Sequence, residues 1–444
     1  MGSALAATAG LCWLIAPQAA EAQTAAQNAV APETIAPTAI TDEINGNLAT
    51  NGIDSTSYDR GRNISVRQRP RPDYDAIGVD VPGFVIYPKV DLGFAYDSNI
   101  FAQHTGAVGD EIFNVSPEVD FSSTWSRNSL AGYAKVSQDL YFSHDSEDAT
   151  EADAGLVGKV NLGQNTITAG GEYGRFVLPR WASNNFGLSI HRIPYDYGAA
   201  NLELAHEFVR VRLSARMDFQ DYQFGNGRTA AGVLVFDQDQ NHSVTTGTIK
   251  AEYAYSPDTA FYLTADYNGR RYDLQPPAVP FTRNSNGFEV DAGANFDITH
   301  LTRGEFQIGY LSQDYESARF KAIRGLGGKA KVEWFPTQLV TVTVQGTRAI
   351  GDAGVPDSAG FLVSRGEASV DYELRRNIIL SGNLWGEEDK YNGVDRHDDL
   401  DGVGVSANWL IKRHLGLTFG FLNARQCSSG TASGPSFYDY LLSV

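Results

Sequence analysis

Charged side chains spaced two residues apart are the feature of this sequence best suited to act on other molecules. In VRVRLSARMDFQ, Arg210, Arg212, Arg216 and Asp218 share one parity with Ser214 and Gln220, while Val209, Val211, Leu213, Ala215, Met217 and Phe219 share the other. The same charged parity continues through Lys250 and Glu252, Asp266 and Arg270, Glu289 and Asp291, and Arg303 and Glu305. It runs on through Lys329, Lys331 and Glu333, then Arg365, Glu367, Asp371 and Glu373. Mixed charges on one wall break no bonds, but they order water and sort polar solutes moving along a confined path. The three arginines have no acid in their own strand before Asp218, which predicts a modest preference for anions, blunted by any pairing with Glu203 or Glu252.

Bond-making chemistry has less support. A Ser–His pair needs the imidazole within hydrogen-bond reach of a nucleophile on a rigid wall. His104, His144, His191 and His397 fall in long connections, His206, His300 and His414 at short turns, and His242 at a strand end. No nucleophile motif or cofactor fingerprint is present, so neither an enzyme nor a cofactor is expected. The acidic runs Asp145-Ser146-Glu147-Asp148 and Glu387-Glu388-Asp389, with Asp398, Asp399 and Asp401, carry oxygen donors of the kind calcium and magnesium take. They lack the spacing of a calcium loop and are read as solvated loops, with no metal site assigned.

The alternation that sorts these charges belongs to strands, because successive side chains point to opposite faces. Strands of soluble domains usually run about 5 to 6 residues, whereas one crossing a bilayer obliquely needs about 9 to 11. These segments are of the long kind. An Arg on the lipid side at mid-membrane costs about 2 to 4 kcal/mol, so the arginines must face an interior. Short turns recur near Ser126-Arg127-Asn128, Gly163-Gln164-Asn165, His206-Glu207, Pro257-Asp258, Thr299-His300, Pro336-Thr337, Arg375-Arg376-Asn377 and Lys412-Arg413-His414. Longer connections such as LPRWASNNFGLSIHRIPY and GNGRTAAGVLVFDQDQN lie between them. Short turns at one rim and long loops at the other predict an all-β, antiparallel, up-and-down transmembrane barrel of about 18 strands. A propeller also repeats at about 40 to 45 residues, but with four short strands per blade and a blade signature absent here.

Composition agrees. The 444 residues carry 42% hydrophobic residues, 45 Gly, 21 Tyr and 23 Phe, and rings in that number suit interfacial girdles. A formal charge of -18 excludes a basic nucleic-acid footprint. Residues 1–22 read as a signal peptide, with an apolar stretch from Leu5 to Ile15 and Ala20-Glu21-Ala22 before Gln23. The lack of Lys or Arg ahead of that stretch predicts a start upstream of Met1. Residues 23–82, rich in Ala, Thr, Pro and Asn, are expected to be a disordered periplasmic segment carrying a basic, proline-spaced motif, and residues 83–444 the barrel. The motif's Arg67 to Pro72 should lie at the periplasmic mouth, where its positive side chains meet acidic residues of the lumen or of a partner, docking there and partly narrowing the pore. The ending SFYDYLLSV offers only about nine residues of closing strand and no terminal aromatic, which predicts a native chain running a few residues past Val444. Once residues 1–22 are removed, Cys427 is the only cysteine, which rules out a disulfide framework.

The stretch from Ser65 to Phe101 resembles the entry to the putative β-barrel porin type 2 family of Gram-negative outer membranes. The residues carrying the likeness are Arg69, Pro70, Arg71, Pro72, Tyr74, Asp75 and Gly78, then Tyr96, Asp97, Asn99, Ile100 and Phe101. The resemblance implies an outer-membrane channel for polar solutes, and the placement of some members in exopolysaccharide gene clusters implies export of polysaccharide as an alternative cargo. A plugged structural barrel that binds lipopolysaccharide or a partner through its outer loops is the other class of reading. Expected partners are outer-membrane lipid, lipopolysaccharide, the barrel-assembly machinery and, from the resemblance, polysaccharide-export components. Nucleic acid is not among them.

Overall fold

The computed structural model describes residues 63–182, 189–276, 278–298, 301–353, 355 and 358–444. Residues 1–62, which include the stretch expected to be a signal peptide, and the turn at Thr299-His300 lie outside that set. One antiparallel sheet holds the described strands, apart from a two-stranded ribbon, Gly227–Arg228 with Leu234–Val235, in an outer connection. Eighteen of its strands close into a barrel. From Phe84–Asp97 to Leu415–Ser429 they run 13 to 16 residues each, long enough to cross a bilayer at a tilt. The remaining strand, Val79–Val81, folds back only onto Phe84–Ile86. The last barrel strand, Phe437–Ser443, pairs with Leu415–Ser429 and meets the first strand at Ala95↔Ser443, Tyr96↔Leu442 and Asp97↔Leu441. Closure over these three pairs joins the two edges of the sheet at that end of the first strand.

Parity decides which side each residue faces. In Val211–Phe224, Leu213, Met217 and Phe219 are 43%, 59% and 45% exposed, whereas Asp218 and Gln220 are 5% and 2%. The exposed faces join into a belt that includes Val90, Leu202, Ile249, Leu263, Val290, Ile308, Leu384 and Val403. Such a band is stable only against hydrocarbon. Tyr253, Tyr255, Phe261, Trp334 and Trp409 gather near the short-turn rim, and Tyr267, Phe288, Tyr310, Tyr438 and Tyr440 nearer the other end, where amphipathic rings suit the membrane–water boundary.

Several boundaries move by a residue or two. Pro336 and Thr337 end the strand Ile323–Thr337, and His206 and Glu207 end Pro194–Glu207. The turn after Glu207 is closed by Phe208 N–H donating to Val211 O at 2.7 Å. That hydrogen bond puts Arg210, expected on the lumen wall, in an exposed turn instead. The segment expected to be disordered up to residue 82 differs as well. From residue 63 onward it is held on the barrel by the contacts described next, because its arginines meet the buried carboxylates of Asp371 and Glu373.

Candidate functional site: a strapped and bridged lumen

The short-turn mouth is crossed by a strap. Arg67 Nε donates to Asp371 Oδ1 at 2.8 Å, and Arg69 Nη1 and Arg71 Nη2 each donate to Glu373 Oε2 at 3.0 Å. Val66, 1% exposed, donates its N–H to Thr341 Oγ1 at 2.9 Å. From the wall, Arg303 donates to Asn63 O and Gln68 Oε1, both at 3.0 Å, and Arg413 donates to Pro72 O. The prolines deny the strap a regular ladder, and it forms a turn at Val66 to Gln68. It then turns tightly, with Tyr74 and Asp75 N–H both donating to Arg71 O and Arg71 N–H donating to Asp75 Oδ2. Burial lowers the Arg71 pKa, with Glu373 opposing that shift, and burial also raises the Asp75 carboxyl. Gly78 follows at φ +76°, where an added Cβ would lie 2.5 Å from Val85 Cγ1. Only glycine fits there.

The second half of the motif secures the seam. Asp97 Oδ1 accepts the Asn99 N–H at 2.8 Å, and Asn99 Nδ2 donates across the closure to Tyr438 O at 3.0 Å. Ser98 Oγ donates to Asp439 Oδ1 at 2.7 Å, and Ile100 is buried beneath.

At the opposite rim, the connection after Val177 folds inward. Trp181, 2% exposed, packs with Ala102, Trp385, Leu400, Ala424 and Phe437, which belong to the far wall and the first outer loop. Arg180 Nε donates to Glu147 Oε2 at 2.9 Å, Arg192 Nε to the same oxygen at 3.3 Å, and Arg192 stacks 5.1 Å from the Tyr141 ring centre. The acidic run containing Glu147, read as solvated, therefore places one residue in a buried ion cluster, where two guanidinium groups offset the desolvation of its carboxylate.

Between these covers the wall is charged, and its positive groups are tied. Arg216 holds Asp218 through both carboxylate oxygens (Nη2–Oδ1 2.7 Å), and Arg212 lies 3.5 Å from Glu203. Lys250 Nζ lies 3.6 Å from Glu305, 3.8 Å from Glu252 and 4.0 Å from the Tyr262 ring centre. Arg270 pairs with Asp352, Arg303 with Glu333, and Arg365 with Glu367 and Glu387. Asp266 accepts from Thr248 Oγ1, and Lys329 and Lys331 share its inward parity from the strand Ile323–Thr337.

Sequence reasoning did not single out an acidic sector. On the inward parity of strands Phe84–Asp97 through Asn165–Val177 stand Asp91, Glu118, Asp120, Asp139, Glu151, Asp153 and Glu172, against Lys89, Lys135 and Lys159. Lys89 is held by Glu118 at 2.9 Å. Glu172 accepts from Tyr133, Glu151 from the Val177 N–H and Asp139 from Asn114. The parity rule applied to these strands would have found them. The Trp181 bridge carries no comparable local signal.

A family model described as putative beta-barrel porin 2 matches residues 71–440. The chain belongs to that family. Both halves of the motif, the strap from Arg71 and the seam residues up to Asn99, lie within the match. The family implies a Gram-negative outer membrane, and its members are described as porins. Among solved structures, the chain is similar to OccAB3 of Acinetobacter baumannii at 9% identity and TM-score 0.44, covering 82% of this chain and 98% of that one. A BenF-like porin from Pseudomonas fluorescens Pf-5 gives 11% and 0.43, with 81% and 97% covered. The ferric enterobactin receptor PfeA of Pseudomonas aeruginosa gives 8% and 0.39, with 80% of each chain covered. No curated protein matches.

Proposed function

We propose that this porin-family barrel is a channel for small polar solutes and that its lumen favours cations over anions. The observation carrying this reading is the asymmetry of charge. The lumen arginines named above each sit against a carboxylate, while the sector from Phe84 to Val177 carries acids well in excess of its lysines. A confined acidic wall raises the local concentration of cations, and salt weakens the effect beyond about 10 Å at 0.1 M. The anion preference expected from Arg210, Arg212 and Arg216 is not carried forward, since one lies in a turn and two are paired. An anionic polysaccharide on its way out would be repelled by the same wall, so the cargo is read as neutral or cationic. Reversal potentials of the purified protein in planar bilayers under a potassium chloride gradient test the reading. Cation selectivity is expected, and anion selectivity overturns it.

The plugged, surface-interacting barrel remains the second reading, favoured by a specific observation: the strap covers one mouth while Trp181 reaches the far wall at the other. A protein that inserts and gives no steady conductance would decide for it.

A further inference from the structure

The run Glu387-Glu388-Asp389 and its neighbours His397, Asp398 and Asp399 are divided by the wall. Glu387 and Asp398 turn inward, where they take Arg365 and Arg396. Glu388, His397 and Asp399 have the opposite parity and face outward on two adjacent strands, in the register Glu388↔Asp399 and Lys390↔His397. On the same outward face toward the membrane come Leu384 and Val403 of the lipid belt. The trio therefore sits just above the apolar band, at the outer interface.

Their donor atoms converge. His397 Nε2 lies 3.2 Å from Asp399 Oδ1 and 3.5 Å from Glu388 Oε1, and one donor atom from each of the three falls within 4.8 Å of the others. Ligands bonded at about 2.0–2.1 Å to a tetrahedral zinc ion lie about 3.4 Å from one another. The two distances from the imidazole already have that spacing. Strand register, not a loop, sets the spacing, and Cys427 stands opposite Asp399 on the next strand. One imidazole nitrogen with two carboxylates suits a borderline cation such as Zn²⁺. Calcium and magnesium take all-oxygen cages with more ligands.

We infer that Glu388, His397 and Asp399 form a divalent transition-metal site of the zinc class on the outer rim, with a remaining position open to water. Lys390 Nζ donates to Glu388 Oε2 at 2.7 Å and competes with the metal for that carboxylate. The inference is independent of whether the lumen conducts.

The test uses the full-length, tag-free protein in detergent micelles, stripped with a chelator and titrated with zinc chloride against a chromophoric competitor. Uptake of one equivalent is expected, weakened at least tenfold in His397→Ala and unchanged by a tenfold excess of calcium. Lys390→Gln should tighten binding, an effect that a plain surface ion cluster would not give. Should His397→Ala fail to fold, Asp399→Asn carries the same expectation. Absence of stoichiometric uptake, uptake indifferent to either substitution, or displacement by calcium would each overturn the assignment.

Discussion

Arg71 and Glu373, 302 positions apart in the sequence, form a buried ion pair with Nη2 and Oε2 3.0 Å apart. Arg69 shares the same oxygen, so a single carboxylate fixes two turns of strap chemistry to the wall. Breaking a buried pair by removing one partner costs about 3 to 5 kcal/mol, because the survivor is left uncompensated.

The first prediction follows from that cost. Glu373→Gln leaves Arg69 and Arg71 without their carboxylate and should release the strap while the barrel, held by its own ladder, stays folded. Trypsin should then cut after Arg67, the strap arginine not followed by proline, at least tenfold faster than in the unaltered protein, and conductance should rise. Equal cleavage rates would show that Val66, Arg67 and Arg303 hold the strap unaided.

At the other rim, Trp181→Ala should free the inward connection. A buried Trp truncated to Ala costs about 3 to 5 kcal/mol, here charged to the docked state of the loop, because Trp385, Leu400, Ala424 and Phe437 remain in their strands. Single-channel traces of the variant should show larger or noisier openings. Traces indistinguishable from the parent would mean that the Arg180–Glu147 pair alone keeps the loop in place.

The outer connection 225–241 should loosen as pH rises. Asp237 donates its N–H to Asn226 Oδ1 at 3.0 Å, and its carboxylate accepts from Gln240 Nε2 at 3.2 Å. Burial, reinforced by the charge of Asp239, pushes its pKa from 3.8 up to about 6. An acid with a raised folded pKa binds its proton more tightly when folded, so its contribution is full below the unfolded value and is lost as pH climbs through about 6. Hydrogen exchange across 226–241, corrected for intrinsic rate, should be faster at pH 7.5 than at pH 5. Asp237→Asn should erase the difference, and a pH effect that survives the substitution would assign it elsewhere.

Periodicity carried the barrel but not its interior. Met217 and Asp218 are told apart by parity alone, since a strand has only two faces, and that rule extended to eighteen strands gives the wall. Arg71 finding Glu373, and Trp181 finding Phe437, depend on which strands stand opposite one another once the circle closes. No local pattern states that distance. His242 illustrates the same limit: its place at a strand's outer end was legible, whereas its stacking between the rings of Tyr222 and Tyr272, 5.0 and 4.8 Å away, was not.

The last prediction concerns the strand that first suggested a pore. Arg212→Ser with Arg216→Ser removes two cations and leaves Glu203 and Asp218 without them, so the wall gains net negative charge from the short-turn rim inward. Folding should persist, because lumen positions tolerate polar change and the lipid face of Val211–Phe224 is untouched. At low salt, where screening is weakest, the reversal potential of the double variant should shift toward cations. Arg210→Ser alone should leave it where it was, since that side chain lies in the exposed turn after Phe208. If the double variant and the parent reverse at the same potential, the pairs Arg212–Glu203 and Arg216–Asp218 do not line the conducting path.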